Sequence, residues 1–177
     1  MKMRIIILCL ILTGCAHEYR QDFGTWQTPI QYKVLDNCPE WLHSYTPELM
    51  AYAPVKTNRV EKDANFYITC SPHPPGEIML LSDQKVGLAD PRRADGERSG
   101  YGDETVQCFA WVDPENYFYP TDHNKVLTRT VLGHEIGHCL GLGHSTYPNS
   151  LMISNKPRRP RSFSPDDVAE LRKRYGL

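Results

Sequence analysis

The sequence has no excess of one charge, no apolar run long enough to cross a bilayer, no C-x-x-C cysteine pair and no internal repeat. Each absence removes a class of protein. With 20 basic and 21 acidic side chains the formal net charge is −1, so no field gathers a polyanion and nucleic acid is a poor partner. The missing C-x-x-C pairs argue against a cysteine-held zinc ion. The missing repeat argues against a solenoid. What is there fits one domain: 177 residues, 40% hydrophobic, can build one core, and 14 prolines and 12 glycines scattered along the chain imply many turns.

The first residues, "MKMRIIILCLILTGC", place Lys2 and Arg4 before an apolar run from Ile5 to Leu12, the layout of an export signal. The closing "LTGC" resembles the lipobox of bacterial lipoproteins, which makes Cys15 the acylated first residue of the mature chain. The expected location is a cell envelope, lipid-anchored at the outer membrane if there is one, with a soluble secreted or periplasmic form as the alternative. Export implies an oxidising compartment, where Cys38, Cys70, Cys108 and Cys139 become disulfide candidates. Four cysteines allow three pairings. The sequence does not choose among them, although Cys38 with Cys70 and Cys108 with Cys139 would give local cross-links.

Residues 15–28 read as a lipidated N-terminus and polar tether, and the fold is expected to begin near Pro29. "IQYKVL" and "NFYITC" alternate or enrich β-formers as strands do, and "EIMLLS" and "ETVQCFAWVD" are further strand candidates. "PELMAYA" reads as a short helix ended by Pro54. Between the last two strand candidates, "DPRRADGERSGYGDE" has the content of an exposed loop, so Arg92, Arg93 and Arg98 read as solvated charge. From about Lys125 the pattern turns helical, with Leu127, Val131, His134 and His138 on one face and Thr121, Asp122 and Asn124 as capping candidates. A last helix opens with the Ser164 cap and Pro165, carries Asp166 and Asp167 near its start and Arg172 to Arg174 near its end, and closes at Gly176.

The stretch "HEIGHCLGLGH" concentrates three of the seven histidines. His134 and His138 lie one helical turn apart and can aim two imidazoles at one ion. A continued helix would carry His144 about 15 Å further along the axis, out of reach. The helix must therefore stop, and Gly141 is placed to take the left-handed conformation that stops it. Glu135 projects about 100° around from His134 and can face an ion without binding it. Three ligands plus an adjacent carboxylate are what a catalytic zinc site needs. A chance match of the five fixed residues has odds on the order of one in 10⁵ at ordinary usage.

This eleven-residue form is the known metzincin signature, and with Ser145, Met152 in "SLM" and the closing "FSPDDVAELRKRYG" it resembles the matrixins, the matrix-metalloprotease branch. The resemblance is strong from about residue 104 onward and faint before it. It implies an α+β metzincin-like fold: a twisted, mostly parallel sheet with an antiparallel edge strand packed on an active-site helix, a Met-turn and a C-terminal helix. It implies zinc held by His134, His138 and His144, Glu135 as general base, and Met152 supporting the site. "TVQCFAWVD" resembles the edge strand on which an extended peptide would pair. Residues 153–163 would form the wall beside the scissile bond, with "KPRRPR" as a solvated loop. The expected division is a signal peptide at 1–14, the lipidated tether at 15–28 and a metallopeptidase domain at 29–177.

Three features depart from the family. No cysteine-switch propeptide precedes the domain, and "DNCPE" around Cys38 is a poor imitation of one. No pattern for a second, structural zinc is evident, His73 and His123 read as surface residues, and calcium is possible but cannot be traced. The expected protein is a monomeric zinc endopeptidase acting on protein or peptide and anchored to a membrane by lipid. The alternatives are an exported zinc-binding lipoprotein without activity and a zinc hydrolase of cell-wall amides.

Overall fold

The computed structural model describes residues 18–72, 87–114, 123–154 and 162–177, with side chains taken from Thr128 onward in the helix that starts at His123. Five strands form one sheet: β1 (Ile30–Val34), β2 (Thr57–Arg59), β3 (Phe66–Cys70), β4 (Gly87–Arg92) and β5 (Gln107–Val112), in the order β2-β1-β3-β5-β4. β1, β2, β3 and β5 run parallel, and β4 alone is antiparallel, paired to β5 from Gly87↔Val112 to Arg92↔Gln107. Helices α1 (Glu40–Met50), α2 (His123–Cys139) and α3 (Pro165–Arg174) complete the α+β fold.

Alternation decides which face of the sheet is covered. In β1 and β3 every second residue is buried, so Ile30, Tyr32, Val34, Phe66, Ile68 and Cys70 share one face. Leu132 and Ile136 of α2, Leu140 just past its end, and Leu42 and Leu49 of α1 join them in one core. Two disulfides fasten that core at its edges. Cys38 bonds to Cys70, and Cys108 of β5 bonds to Cys139, the last residue of α2.

Four expectations about individual segments change. The tether is folded: Phe23 and Trp26 are buried, Trp26 Nε1 donates to the Cys139 carbonyl at 2.7 Å, and Tyr19 pairs with Ser145. Truncating a Trp so placed costs about 3–5 kcal/mol, far more than a disordered tether could supply. The domain thus begins by residue 18. The short helix expected at 47–53 instead spans Glu40–Met50 and holds Pro47 in its interior. Proline leaves the carbonyl four residues back without its helical donor, and Arg59 of β2 donates to that carbonyl, on His43, at 3.4 Å.

The exposed loop beginning at Asp90 surrenders its first three residues to β4, a strand that Gly87 and Pro91 disguise. Consequently β5 is an inner strand between β3 and β4, and the antiparallel edge is β4. The strand candidate at 77–82, the cap residues Thr121 and Asp122, the side chains of Asn124 and Leu127, and the "KPRRPR" run lie outside what is described. Among the described residues no helix is long and apolar enough to cross a membrane.

Candidate metal centre

α2 carries His134 and His138 in its last turns, and both are buried. Their Nε2 atoms face each other at 3.1 Å. The helix then ends in a Schellman motif: Gly141 N–H reaches the His138 carbonyl, and Leu142 N–H reaches the Gly137 carbonyl. Gly141 sits at φ +101°, where other residues are strained, and a Cβ there would also press on the Gly24 carbonyl. Two residues on, Gly143 passes so close to the Arg20 carbonyl that no side chain fits. The reversal brings His144 back, with ring centroids 5.3 Å from His134 and 4.9 Å from His138.

Main-chain carbonyls fix the two helical imidazoles. His134 Nδ1 lies 2.9 Å from the Leu151 oxygen, and His138 Nδ1 lies 2.7 Å from the Leu142 oxygen. A carbonyl only accepts, so each Nδ1 carries the proton and each ring is left with Nε2 to face an ion. Burial, then the neighbouring His134, hold the His138 pKa well below the ordinary imidazole value, which keeps that ring neutral. Two lone pairs 3.1 Å apart repel unless a cation lies between them. Tetrahedral zinc with Zn–N bonds of about 2.0–2.1 Å sets its nitrogens about 3.3 Å apart, close to what is observed. Among the described residues, the ligand atoms of His134, His138 and His144 form the one cluster able to hold a metal, all within 4.8 Å of one another.

Glu135 is buried beside this cluster, and Gly87, the first residue of β4, passes close to its carboxylate. The edge strand therefore starts directly over the candidate base. Met152 is fully buried against Gly137, the residue before His138, where a side chain would strike its sulfur. Its carbonyl accepts from Ser145 N–H at 3.0 Å, tying this turn to the loop that carries His144.

Asp167 holds the turn from behind. Fully buried at the start of α3, it accepts from Leu151 N–H at 2.9 Å, from Tyr19 hydroxyl at 2.6 Å and from the Ser150 hydroxyl. It also closes a capping box with Ser164, accepting from Ser164 N–H at 2.8 Å while Ser164 Oγ accepts from Asp167 N–H. Asp167 thus holds the N–H of the same residue, Leu151, whose carbonyl orients His134. Read from sequence, Asp167 is only a favourable charge at a helix start. Its three-residue spacing from Ser164 is a signal that could have revealed the capping box, and nothing in the sequence marks the reach to residue 151. Phe23 is the second residue missed: its ring lies 4.7 Å from that of His138, and the polar segment around it gave no signal of burial.

Comparison with known proteins places this geometry. The chain is 38% identical over 66 residues to human matrix metalloproteinase-19, covering 36% of this chain and 13% of that protein. It is 36% identical over 70 residues to rat matrilysin (38% and 26%) and 44% identical over 50 residues to metalloendoproteinase 1 of Glycine max (27% and 16%). The alignments thus span about a quarter or less of these relatives' lengths. A solved zinc-dependent peptidase from Methanocorpusculum labreanum superposes with a TM-score of 0.48 at 16% identity, covering 81% of this chain and all of that one. The model of the family described as Matrixin matches residues 25–176. Since that match takes in the whole sheet, the histidine helix, the methionine turn and α3 together, the chain belongs to the Matrixin family.

Proposed function

We propose that this chain is a zinc-dependent endopeptidase in which Glu135 is the general base, anchored to a membrane through lipidated Cys15. One observation carries the metal reading: two imidazoles, each with Nδ1 committed to a carbonyl, turn their Nε2 atoms toward one point. His134, His138 and His144 would hold the ion. When bound, zinc supplies Lewis-acid activation of a water molecule. Glu135 takes the proton from that water and passes it to the leaving amine, so the protein forms no covalent intermediate.

Toward its Gly87 end, before residues 98–99 cover it at Pro91, the outer side of β4 offers backbone groups to an extended peptide, which would add to the sheet as a further antiparallel strand. Gly87 over Glu135 sets the scissile bond at the N-terminal end of that strand. The anchor has consequences for reach. With Glu18 N–H already bonded to Thr146 Oγ1 at 2.9 Å, only Ala16 and His17 separate Cys15 from Glu18, a span of about 10 Å at full extension. The cleft would work close to the bilayer surface.

The test is peptide-library cleavage by zinc-loaded protein, with a chelator arm, a zinc add-back arm and peptidoglycan fragments beside the peptides. Cleavage of peptides that the chelator stops and zinc restores is expected. Cleavage of cell-wall fragments alone would move the assignment to amide hydrolysis, and one zinc per chain without any turnover would leave a binding protein. Mass spectrometry of the mature N-terminus tests the lipid on Cys15.

A further inference from the structure

Beside His144 the structure has a cavity of about 390 Å³, lined also by Arg20, Asp22, Phe23, Arg98 and Gly100. It lies at the far end of β4 from Glu135. Beyond Arg92 the chain turns back, Arg98 bridges to Arg92, and Ser99 N–H bonds to the Pro91 carbonyl at 2.8 Å. Ser99 is buried and shares a 2.9 Å hydrogen bond with Thr105 Oγ1, so the base of Arg98 is pinned. Its guanidinium stacks 5.4 Å above the Phe23 ring, whose other neighbour is His138.

The charges around this cavity are not equivalent. Arg20 is paired with Asp22 at 3.3 Å, Arg92 with Asp90 at 2.7 Å, and Arg93 with Asp95 at 2.7 Å and Asp103 at 3.7 Å. Among the described residues Arg98 has no carboxylate partner, and it is exposed. A fixed cation beside a metal cleft, with its neighbours already neutralised, calls for an anion from outside.

We propose that Arg98 makes this cavity a subsite for an acidic side chain on the N-terminal side of the scissile bond. The proposal rests on the endopeptidase reading. A peptide antiparallel to β4 approaches past the turn at residues 98–100, which covers the strand at Pro91, and runs on toward Gly87, so the residues before its scissile bond pass the cavity that this turn lines. The spacings of 4.7 and 5.4 Å put the guanidinium up to about 10 Å from His138, about three residues of extended chain at roughly 3.3 Å each. Arg98 is thus a specificity residue and takes no part in the bond cleavage.

The experiment uses zinc-loaded protein and peptides that differ only in Glu, Gln or Lys at the second, third and fourth positions before the scissile bond. Wild type should favour Glu over Gln about fivefold in kcat/KM at one of these positions, as an exposed ion pair of about 1 kcal/mol gives. Arg98→Ala should abolish the preference, Arg98→Glu should turn it toward Lys, and Arg98→Lys should keep part of it, all with zinc content unchanged. The same peptides are measured by fluorescence anisotropy on the zinc-loaded Glu135→Gln protein, where the order should repeat without turnover. Equal use of Glu and Gln by wild type, or an acid preference that survives Arg98→Glu, overturns the subsite and leaves the peptidase standing. Acid-selective binding without cleavage overturns the peptidase and keeps the subsite. Neither cleavage nor binding overturns both.

Discussion

From α2 onward the molecule assembles its cleft from neighbours in sequence, whereas the part before α2 reaches the same cleft only through strand register and distant contacts. His134, Glu135 and His138 share one helix, and His144 follows through a turn closed by hydrogen bonds no longer than five residues. β4, Phe23 and Arg98 arrive from elsewhere: β4 by pairing with β5, Phe23 from near the start of the described chain, and Arg98 by folding back on Arg92. The lesson is a division of labour. The local half sets the chemistry, and the non-local half shapes what can approach it.

Substitutions can break or sharpen that division, beginning with the largest expected effect. Glu135→Gln should lower kcat by about 10²- to 10⁴-fold while retaining one zinc per chain, read by turnover and metal analysis; normal turnover would remove Glu135 from its role. Asp167→Ala should weaken zinc about 10- to 100-fold, because Leu151, whose carbonyl orients His134, loses the anchor on its N–H, and should destabilise the fold by about 3–5 kcal/mol. Zinc competition titration and urea denaturation read the two effects separately.

The disulfides offer the most direct contrast. They span separations of 32 and 31 residues, so chain entropy assigns each about 3–4 kcal/mol, and replacing either pair by alanine should lower Tm by a similar amount. Only loss of Cys108–Cys139 should also weaken zinc, since it alone fastens the end of α2 next to His138. Equal zinc affinity in the two variants would show that the helix end needs no such fastening. The smallest effect expected is about 1 kcal/mol from Ser164→Ala, through loss of the cap on α3.

This division also explains what was legible in the sequence. Helix spacing, a left-handed glycine and a Ser164 cap are short-range constraints, and each leaves its residues in order along the chain. β4 left no such trace, because an edge strand tolerates Gly87 and Pro91 that an inner strand would reject. Its partner β5 has the stronger β-forming composition and so resembled the edge. Trp26 and Phe23 sit in a polar stretch held against the end of α2, more than 110 residues away, and no local pattern encodes that. Asp167 belongs with them: its cap is local, and its hold on Leu151 is not.

The pairing of Tyr19 with Ser145, and of Arg20 N–H with the His144 carbonyl, bears on the order in which the molecule is made. These contacts join the opening of the domain to a loop some 125 residues later, and closing so long a span is entropically slow. A newly made chain would therefore have its two helical imidazoles preset and the last one still wandering. Full metal capture becomes a late event in maturation, reached only after the beginning of the polypeptide has found its end.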